Sequence, residues 1–277
     1  MIDNAQLNVA IHQNVAAALQ EDIATGDLTA RLIPADKAAS AHILCRDAAV
    51  LCGRPWFEAC FRMLDSGFKV KWHADEGQSV SPDQILCEFS GNARALLSAE
   101  RTAINFLQTL SATATAAHRL TRLTQGLSTL VMDTRKTIPG LRLAQKYAVL
   151  TGGGSNQRIG LFDGILIKEN HIAAAGGIAA ALAATQDAAV PVQIEVENLQ
   201  ELEAALQAGA VLILLDNFDL EQLRAAVRLA HGRAILEASG GIDMTNLRAI
   251  AETGVHRVSI GSMTKHIQAV DLSMRID

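Results

Sequence analysis

The chain has 277 residues, 49% hydrophobic and 19% charged, which is enough apolar material for one large core or two smaller ones and too much for a disordered chain. Its formal net charge of -5 argues against a nucleic-acid binder, so an anion site would have to be a local basic cluster. The N-terminus lacks a basic start followed by an apolar run, and no stretch of about 18 apolar residues occurs, so a soluble, cytoplasmic protein is expected.

In chain order, the first segments with strand character are HILCRDAAVLCGR and FKVKWHADEGQSVSPDQILCEFSG, with turns at Gly77 and Pro82. They predict an antiparallel α+β unit. Cys45, Cys52, Cys60 and Cys87 all fall in this half without a C-x-x-C pair, so reduced cysteines are expected. A long helix follows from about 95 to 125, with Leu96, Leu97, Ile104, Leu107 and Leu110 at helical spacing.

Beyond it the pattern becomes regular. VMDTR, DGILIKEN, VQIEVEN, AVLILLDN, RAILEAS and VHRVSIG read as six strands between about 127 and 261, separated by helical stretches. Gly209, Gly232 and Gly254 stand where helix C-termini need a left-handed residue. Strands alternating with helices predict a parallel sheet. Six strands fall short of a regular eight-stranded barrel, leaving an incomplete barrel or an open doubly wound sheet.

In such folds ligands bind at the carboxyl ends of the strands. There the sequence places Asp133, Thr134, Arg135 and Lys136; Lys168, Glu169, Asn170 and His171; Glu195 and Glu197; Asp216 and Asn217; Glu237, Ser239, Gly240 and Gly241; and Ser259, Gly261 and Ser262. Glu195 and Glu197 share one face of their strand. Arg135, Lys136, Arg158 and Lys168 point to an anionic substrate. Glu195 and Asp216 beside them point to Mg²⁺ held by one or two carboxylates and completed by substrate phosphates. The glycine and serine loops after the last two strands suit a phosphate. Arg101, on the long helix, gains no special status from spacing, and His12, His42, His73, His118, His231, His256 and His266 show no metal-ligand spacing.

DTRKTIPGLR, the GGG-x-N-x-R loop running into LFDGILIKENH, IEVEN, ILLDNF, EASGGI and SIGSMTKH occur together, with EDIATGDLT and ERTAINFLQTLS ahead of them. In this order they resemble the quinolinate phosphoribosyltransferases over nearly the whole chain. The resemblance implies an α/β fold of an N-terminal α/β sandwich domain (1–112), an open, incomplete α/β barrel of about six to seven parallel strands (113–265) and a C-terminal tail (266–277) returning to the first domain. It implies transfer of the phosphoribosyl group of phosphoribosyl pyrophosphate to the ring nitrogen of quinolinate, with loss of pyrophosphate and CO₂ and with Mg²⁺, to give nicotinate mononucleotide for NAD synthesis.

Carried over by position, Arg135, Arg158 and Lys168 would hold the quinolinate carboxylates, with Thr134, Lys136 and Gln157 at the same site. Arg101 would reach it from the partner subunit of a homodimer, or of a larger assembly. Glu195 and Asp216 would meet the ribose hydroxyls and Mg²⁺, directly or indirectly. Ser239, Gly240, Gly241, Ser259, Gly261 and Ser262 would hold the phosphate, with His171 near the pyrophosphate. Lys136, Lys168, Glu195 and Asp216 form the expected catalytic set. Gln157 departs from the family pattern, which often has histidine there. Two rival readings are a related phosphoribosyltransferase acting on a mono-acid such as nicotinate, and a barrel that only senses a pyridine carboxylate or phosphate.

Overall fold

The structure is a computed structural model and describes residues 2–277. In chain order its elements begin with α1 (Asn4–Ile23), β1 (Ala38–Cys45), β2 (Ala49–Val50), α2 (Arg54–Leu64), β3 (Lys69–Trp72), β4 (Ser79–Val80), β5 (Ile85–Asn92) and α3 (Ala93–Leu123). Next come β6 (Leu130–Met132), α4 (Arg142–Thr151), β7 (Ile165–Ile167), α5 (Glu169–Ala175), α6 (Ile178–Ala183), β8 (Val192–Val196), α7 (Leu199–Gln207) and β9 (Leu212–Asp216). The chain finishes with α8 (Leu220–Ala230), β10 (Ile235–Ser239), α9 (Leu247–Ala251), β11 (Arg257–Ser259), α10 (Ser262–Lys265) and β12 (Leu272–Ile276).

Two compact units are present. One holds residues up to 118 together with 138–153 and 266–277, so α4 clusters here and not with the strands that flank it in sequence. Its main sheet is antiparallel, in the order β12-β1-β5-β3, and β12 pairs with β1 from Ala41 opposite Ile276 to Cys45 opposite Leu272. Ile11, Val15 and Leu19 are buried at four-residue spacing on α1, and the amphipathic α2 buries Trp56, Phe57, Cys60 and Phe61. Phe57, Phe61, Phe68 and Phe89 form one aromatic cluster with centroids 4.8–5.7 Å apart. All four cysteines are buried and unpaired, and burial pushes the Cys60 thiol up to about 12.

Within this unit α4 ends against α3. A methyl group on Gly152 would fall on the carbonyl oxygen of Ala114 and within 2.9 Å of the Ala117 Cβ. Backbone atoms cannot swing away as a long side chain can. Gly152→Ala is therefore expected to destabilise the fold by about 1–3 kcal/mol, the usual effect of overpacking. Urea unfolding would read this as a lower midpoint; an unchanged midpoint would show that the two helices part freely.

The second unit, Arg119–Thr137 and Gly154–Lys265, is the incomplete barrel. Its six strands are parallel in the order β6-β11-β10-β9-β8-β7. Sequence neighbours pair throughout β7 to β11, and β6 joins at the far side through β11. The sheet does not close between β6 and β7. At that seam a single parallel bridge joins Met132 to Ser155, with Ser155 donating its N–H to Val131 and accepting from Asp133. One residue thus stands in for a further strand.

Alternation along the strands separates two chemistries. Ile194, Val196, Ile213, Leu215, Leu236, Ala238 and Val258 are buried. The intervening positions Gln193, Glu195, Leu214, Glu237 and Ser239 face a common cavity. Gly209, Gly232 and Gly254 all have positive φ, as expected for the residues that stop the preceding helices.

One strand ends earlier than the sequence pattern suggests. DGILIKEN reads as a continuous strand, but β7 stops at Ile167 and Glu169–Ala175 forms α5. Lys168 is the extended residue before that helix, and the His171 ring accepts the Lys168 N–H at 3.0 Å. A side chain three residues ahead bonding back to the N-cap backbone is a helix-start device that apolar periodicity does not reveal.

Candidate active site

The strand ends of the barrel surround a cavity of about 340 Å³. At its β6 side, Thr134 Oγ1 accepts the Lys136 N–H at 3.1 Å, and Thr264 Oγ1 donates to the Lys136 carbonyl at 2.8 Å. Gly261 lies under them: a Cβ there would meet Lys136 Cδ at 3.1 Å and Thr134 Oγ1 at 3.2 Å. Gly261 is thus needed for the close approach of the β11 end to the DTRK segment.

The loop from Ser155 to Gly164 crosses the seam. Asp133, fully buried at the β6 end, accepts the Asn156 side-chain amide at 2.7 Å and the Gln157 N–H at 2.8 Å. Asp163 receives the N–H groups of Ile159 and Gly160, both at 2.8 Å, which tightens the turn. Arg158 donates to the Gly164 carbonyl at 2.9 Å. Burial and then the adjacent Arg135 lower the Arg158 pKa, with Asp163 opposing. Two guanidinium groups in one place, partly desolvated, form a site that an anion relieves.

Gln157 Nε2 donates to both oxygens of the fully buried Glu237, at 2.6 Å each, and to Gln193 Oε1 at 3.1 Å. A carboxylate offers no hydrogen, so the amide nitrogen must face it. Gln157 Oε1 in turn accepts the Arg158 N–H at 3.2 Å.

Across the cavity Lys168 Nζ lies 3.2 Å from Glu195, whose side chain is only 10% exposed. Burial pushes the Glu195 carboxyl above the ordinary glutamate range; Lys168 pulls it back, and Asp216 and Glu169 push it further up. Asp216 ends β9 and accepts the Asn217 amide at 2.8 Å. At the β10 end, Asn217 donates its N–H to the Ser239 carbonyl at 2.9 Å, and Gly240 (φ +99°) packs where any Cβ would strike Asn217.

Of the residues expected from sequence, Thr134, Arg135, Lys136, Gln157, Arg158, Lys168, Glu195, Ser239 and Ser259 line this one cavity. Asp216, Gly240, Gly241, Gly261 and Ser262 stand at the same strand ends without lining it. His171 sits in α5, bonded to the Lys168 backbone. Arg101 belongs to the first unit, exposed on α3, where it borders a hollow with Glu21 and Asp22. Glu197 leaves the strand face, and its N–H binds Glu201. Sequence reading placed Glu237 at its strand end without giving it a role and missed Leu166, Gln193 and Leu214, although all four line the cavity. The signal was available: Gln193 and Glu237 stand two residues before Glu195 and Ser239, hence on the same strand faces.

The lining carries four cations, Arg135, Lys136, Arg158 and Lys168, against the carboxylates Glu195 and Glu237. Such a site suits a small dianion better than a mono-acid. Among the described residues no three His, Cys, Asp or Glu side chains converge as a metal cage. Glu195 and Asp216, close enough to influence each other, fit the one or two carboxylates with which Mg²⁺ is commonly held when substrate phosphates complete its shell. Among the described residues no helix is long and apolar enough to cross a membrane.

Comparison with known proteins bears on both units. The chain matches the family described as quinolinate phosphoribosyl transferase, N-terminal domain, over residues 27–111, and the corresponding C-terminal domain over 113–275. The probable nicotinate-nucleotide pyrophosphorylase (carboxylating) of Bacillus subtilis (strain 168) is 38% identical over 259 residues, covering 92% of this chain and 90% of that one. The nicotinate-nucleotide pyrophosphorylase (carboxylating) of Mycobacterium leprae (strain TN) is 35% identical over 286 residues, covering 99% of both. The solved structure of the nicotinate-nucleotide pyrophosphorylase from Francisella tularensis superposes with a TM-score of 0.94 at 46% identity, covering 98% of this chain and 97% of that one.

Proposed function

Since the chain belongs to the quinolinate phosphoribosyltransferase family, we propose that its barrel cavity is where quinolinate and phosphoribosyl pyrophosphate react. The enzyme transfers the phosphoribosyl group to the ring nitrogen of quinolinate with decarboxylation, a step of NAD biosynthesis. The observation that carries the site assignment is the excess of cations over carboxylates in one small cavity, with Ser239 and Ser259 at adjacent strand ends.

In this reading Arg135 and Arg158 fork onto the two carboxylates of quinolinate, and Lys136 and Lys168 complete the positive wall. The ring nitrogen attacks with its own lone pair, so no general base is required. Glu195 and Asp216 face the ribose, where a carboxylate stabilises the cationic character that develops at the anomeric carbon. Ser239, Gly240, Gly241, Ser259, Gly261 and Ser262 take the phosphate. Mg²⁺, held through Glu195 and Asp216, would neutralise charge on the departing pyrophosphate. The positive ring nitrogen then stabilises the electron pair left on the neighbouring ring carbon as its carboxylate departs as CO₂, and a proton from water takes up that pair to give nicotinate mononucleotide. The chain's own contribution is mainly positioning and electrostatics.

His171 is proposed to lie near the pyrophosphate, and Gln157 beside the quinolinate end, with its amide held by Glu237 and Gln193. The working form is proposed as a cytoplasmic homodimer in which Arg101 serves the partner's site.

The discriminating experiment supplies quinolinate labelled with ¹³C in the carboxylate beside the nitrogen, together with phosphoribosyl pyrophosphate and Mg²⁺. Labelled CO₂ in step with nicotinate mononucleotide is the expected result. Turnover of nicotinate with no CO₂ from quinolinate would overturn it.

A further inference from the structure

Glu237 has no assigned part in the reaction, yet it is fully buried at a wall of the cavity that is to take a dianion. By Coulomb's law alone a carboxylate there weakens the binding of quinolinate. Its contacts show what it does instead. Gln157 Nε2 donates to both of its oxygens, Gln193 Nε2 donates to Oε2 at 3.1 Å, and Gln157 Nε2 also donates to Gln193 Oε1. Three side chains from the seam loop, β8 and β10 thus close a ring of hydrogen bonds. A buried network of this kind fixes its members in place.

The loop is therefore held on two sides. Asp133 grips Asn156 and the Gln157 N–H from β6, while Glu237 and Gln193 grip the Gln157 side chain from strands β10 and β8. Gln157 passes this restraint on, because its Oε1 accepts the N–H of Arg158. Arg158 shares the cavity wall with the like-charged Arg135; burial first and then that neighbour lower its pKa. Its guanidinium is tied to the Gly164 carbonyl at 2.9 Å, and the Gln157 bond fixes the backbone from which the side chain springs.

We propose that Glu237 is a positioning residue that acts through Gln157 to hold Arg158 beside Arg135, preorganising the site for a diacid. This rests on the placement of quinolinate in the barrel cavity. Glu237 touches Gln157 and Gln193 rather than the substrate, and the Gln157 amide is turned to the protein on both its faces.

The test compares Glu237→Gln, Gln157→Glu and the double variant Gln157→Glu/Glu237→Gln with the wild type, at saturating phosphoribosyl pyrophosphate and Mg²⁺. Removing a negative charge should tighten a dianion if charge alone matters. Loss of positioning should do the opposite: Glu237→Gln is expected to raise KM for quinolinate about tenfold, with kcat and KM for phosphoribosyl pyrophosphate within about twofold of wild type. The double variant restores one amide facing one carboxylate and keeps the total charge, so it should recover KM to within about threefold of wild type. It also answers the question if Glu237→Gln alone fails to fold. An unchanged or lowered KM for quinolinate in folded Glu237→Gln, an equal loss for both substrates, or a double variant no better than the poorer single would overturn the proposal. Turnover separates these levels. An inactive wild type refutes the proposed reaction, an active Lys168→Ala variant refutes the barrel cavity as its site, and an active wild type with an indifferent Glu237→Gln refutes only the positioning role.

Discussion

Lys168→Ala is expected to lower kcat/KM for quinolinate about a thousandfold, or about 4 kcal/mol of transition-state stabilisation. The substitution removes one of the four cations of the cavity and leaves Glu195 without the ammonium 3.2 Å away. Burial already pushes that carboxyl up and Lys168 pulls it back, so the substitution raises it further and disfavours the charged form proposed to stabilise the ribosyl centre. One substitution thus harms both halves of the reaction. Arg101→Ala is expected to be similarly inactive, for a different reason: its side chain is proposed to serve the other protomer. In a one-to-one mixture of the two variants after subunit exchange, about a quarter of the sites would hold both intact residues if assembly is random and twofold. Activity near that fraction supports sharing, and exchange without recovery would rule it out. Lys168→Ala retaining a tenth or more of wild-type kcat/KM would remove Lys168 from the reaction.

Glu195→Gln is expected to reduce kcat at least a hundredfold while leaving the protein as stable as wild type or more so. The sign follows from the raised pKa. A carboxyl whose folded-state pKa lies above its ordinary 4.5 contributes stability below that value and loses it as the pH rises through the raised one. Desolvation of the charged form of Glu195 opposes folding, so glutamine removes a penalty along with the function. The wild-type kcat profile should fall on the acid side at higher pH than an ordinary glutamate would give, and the variant should lack that limb. A clear drop in the melting temperature of Glu195→Gln would mean that the pair with Lys168 is mainly structural.

The barrel was legible because its strands and helices each carry their own period. LILL before Asp216, alternation through QIEVEN, and glycines at 209, 232 and 254 each report a local constraint, and six parallel strands follow. The site was legible at strand ends, where polar residues interrupt apolar runs. What escaped was of other kinds. The helix α1 has its buried Ile11, Val15 and Leu19 among many alanines, so its apolar face barely stands out. The helix α5 begins with a backbone bond to His171, not with a recognisable cap residue. Gln193 lies one pleat deeper than the strand ends, and its ring with Glu237 and Gln157 joins three distant parts of the chain. Spacing within one segment does not reveal such a closure.

The unclosed seam bears on how the barrel is assembled in time. Pairing from β7 through β11 joins strands that follow one another, so that stretch builds by local steps. The exception is β6, which is made first and whose partner, β11, comes nearly last: Leu130 lies opposite Arg257 and Met132 opposite Ser259. Thr134, Arg135 and Lys136 directly follow β6. A nascent chain, or a fragment ending before residue 257, can therefore pair most of its strands while β6 is held only by its bonds to the loop at the seam. The proposed substrate site is completed only when the two ends of the barrel segment meet.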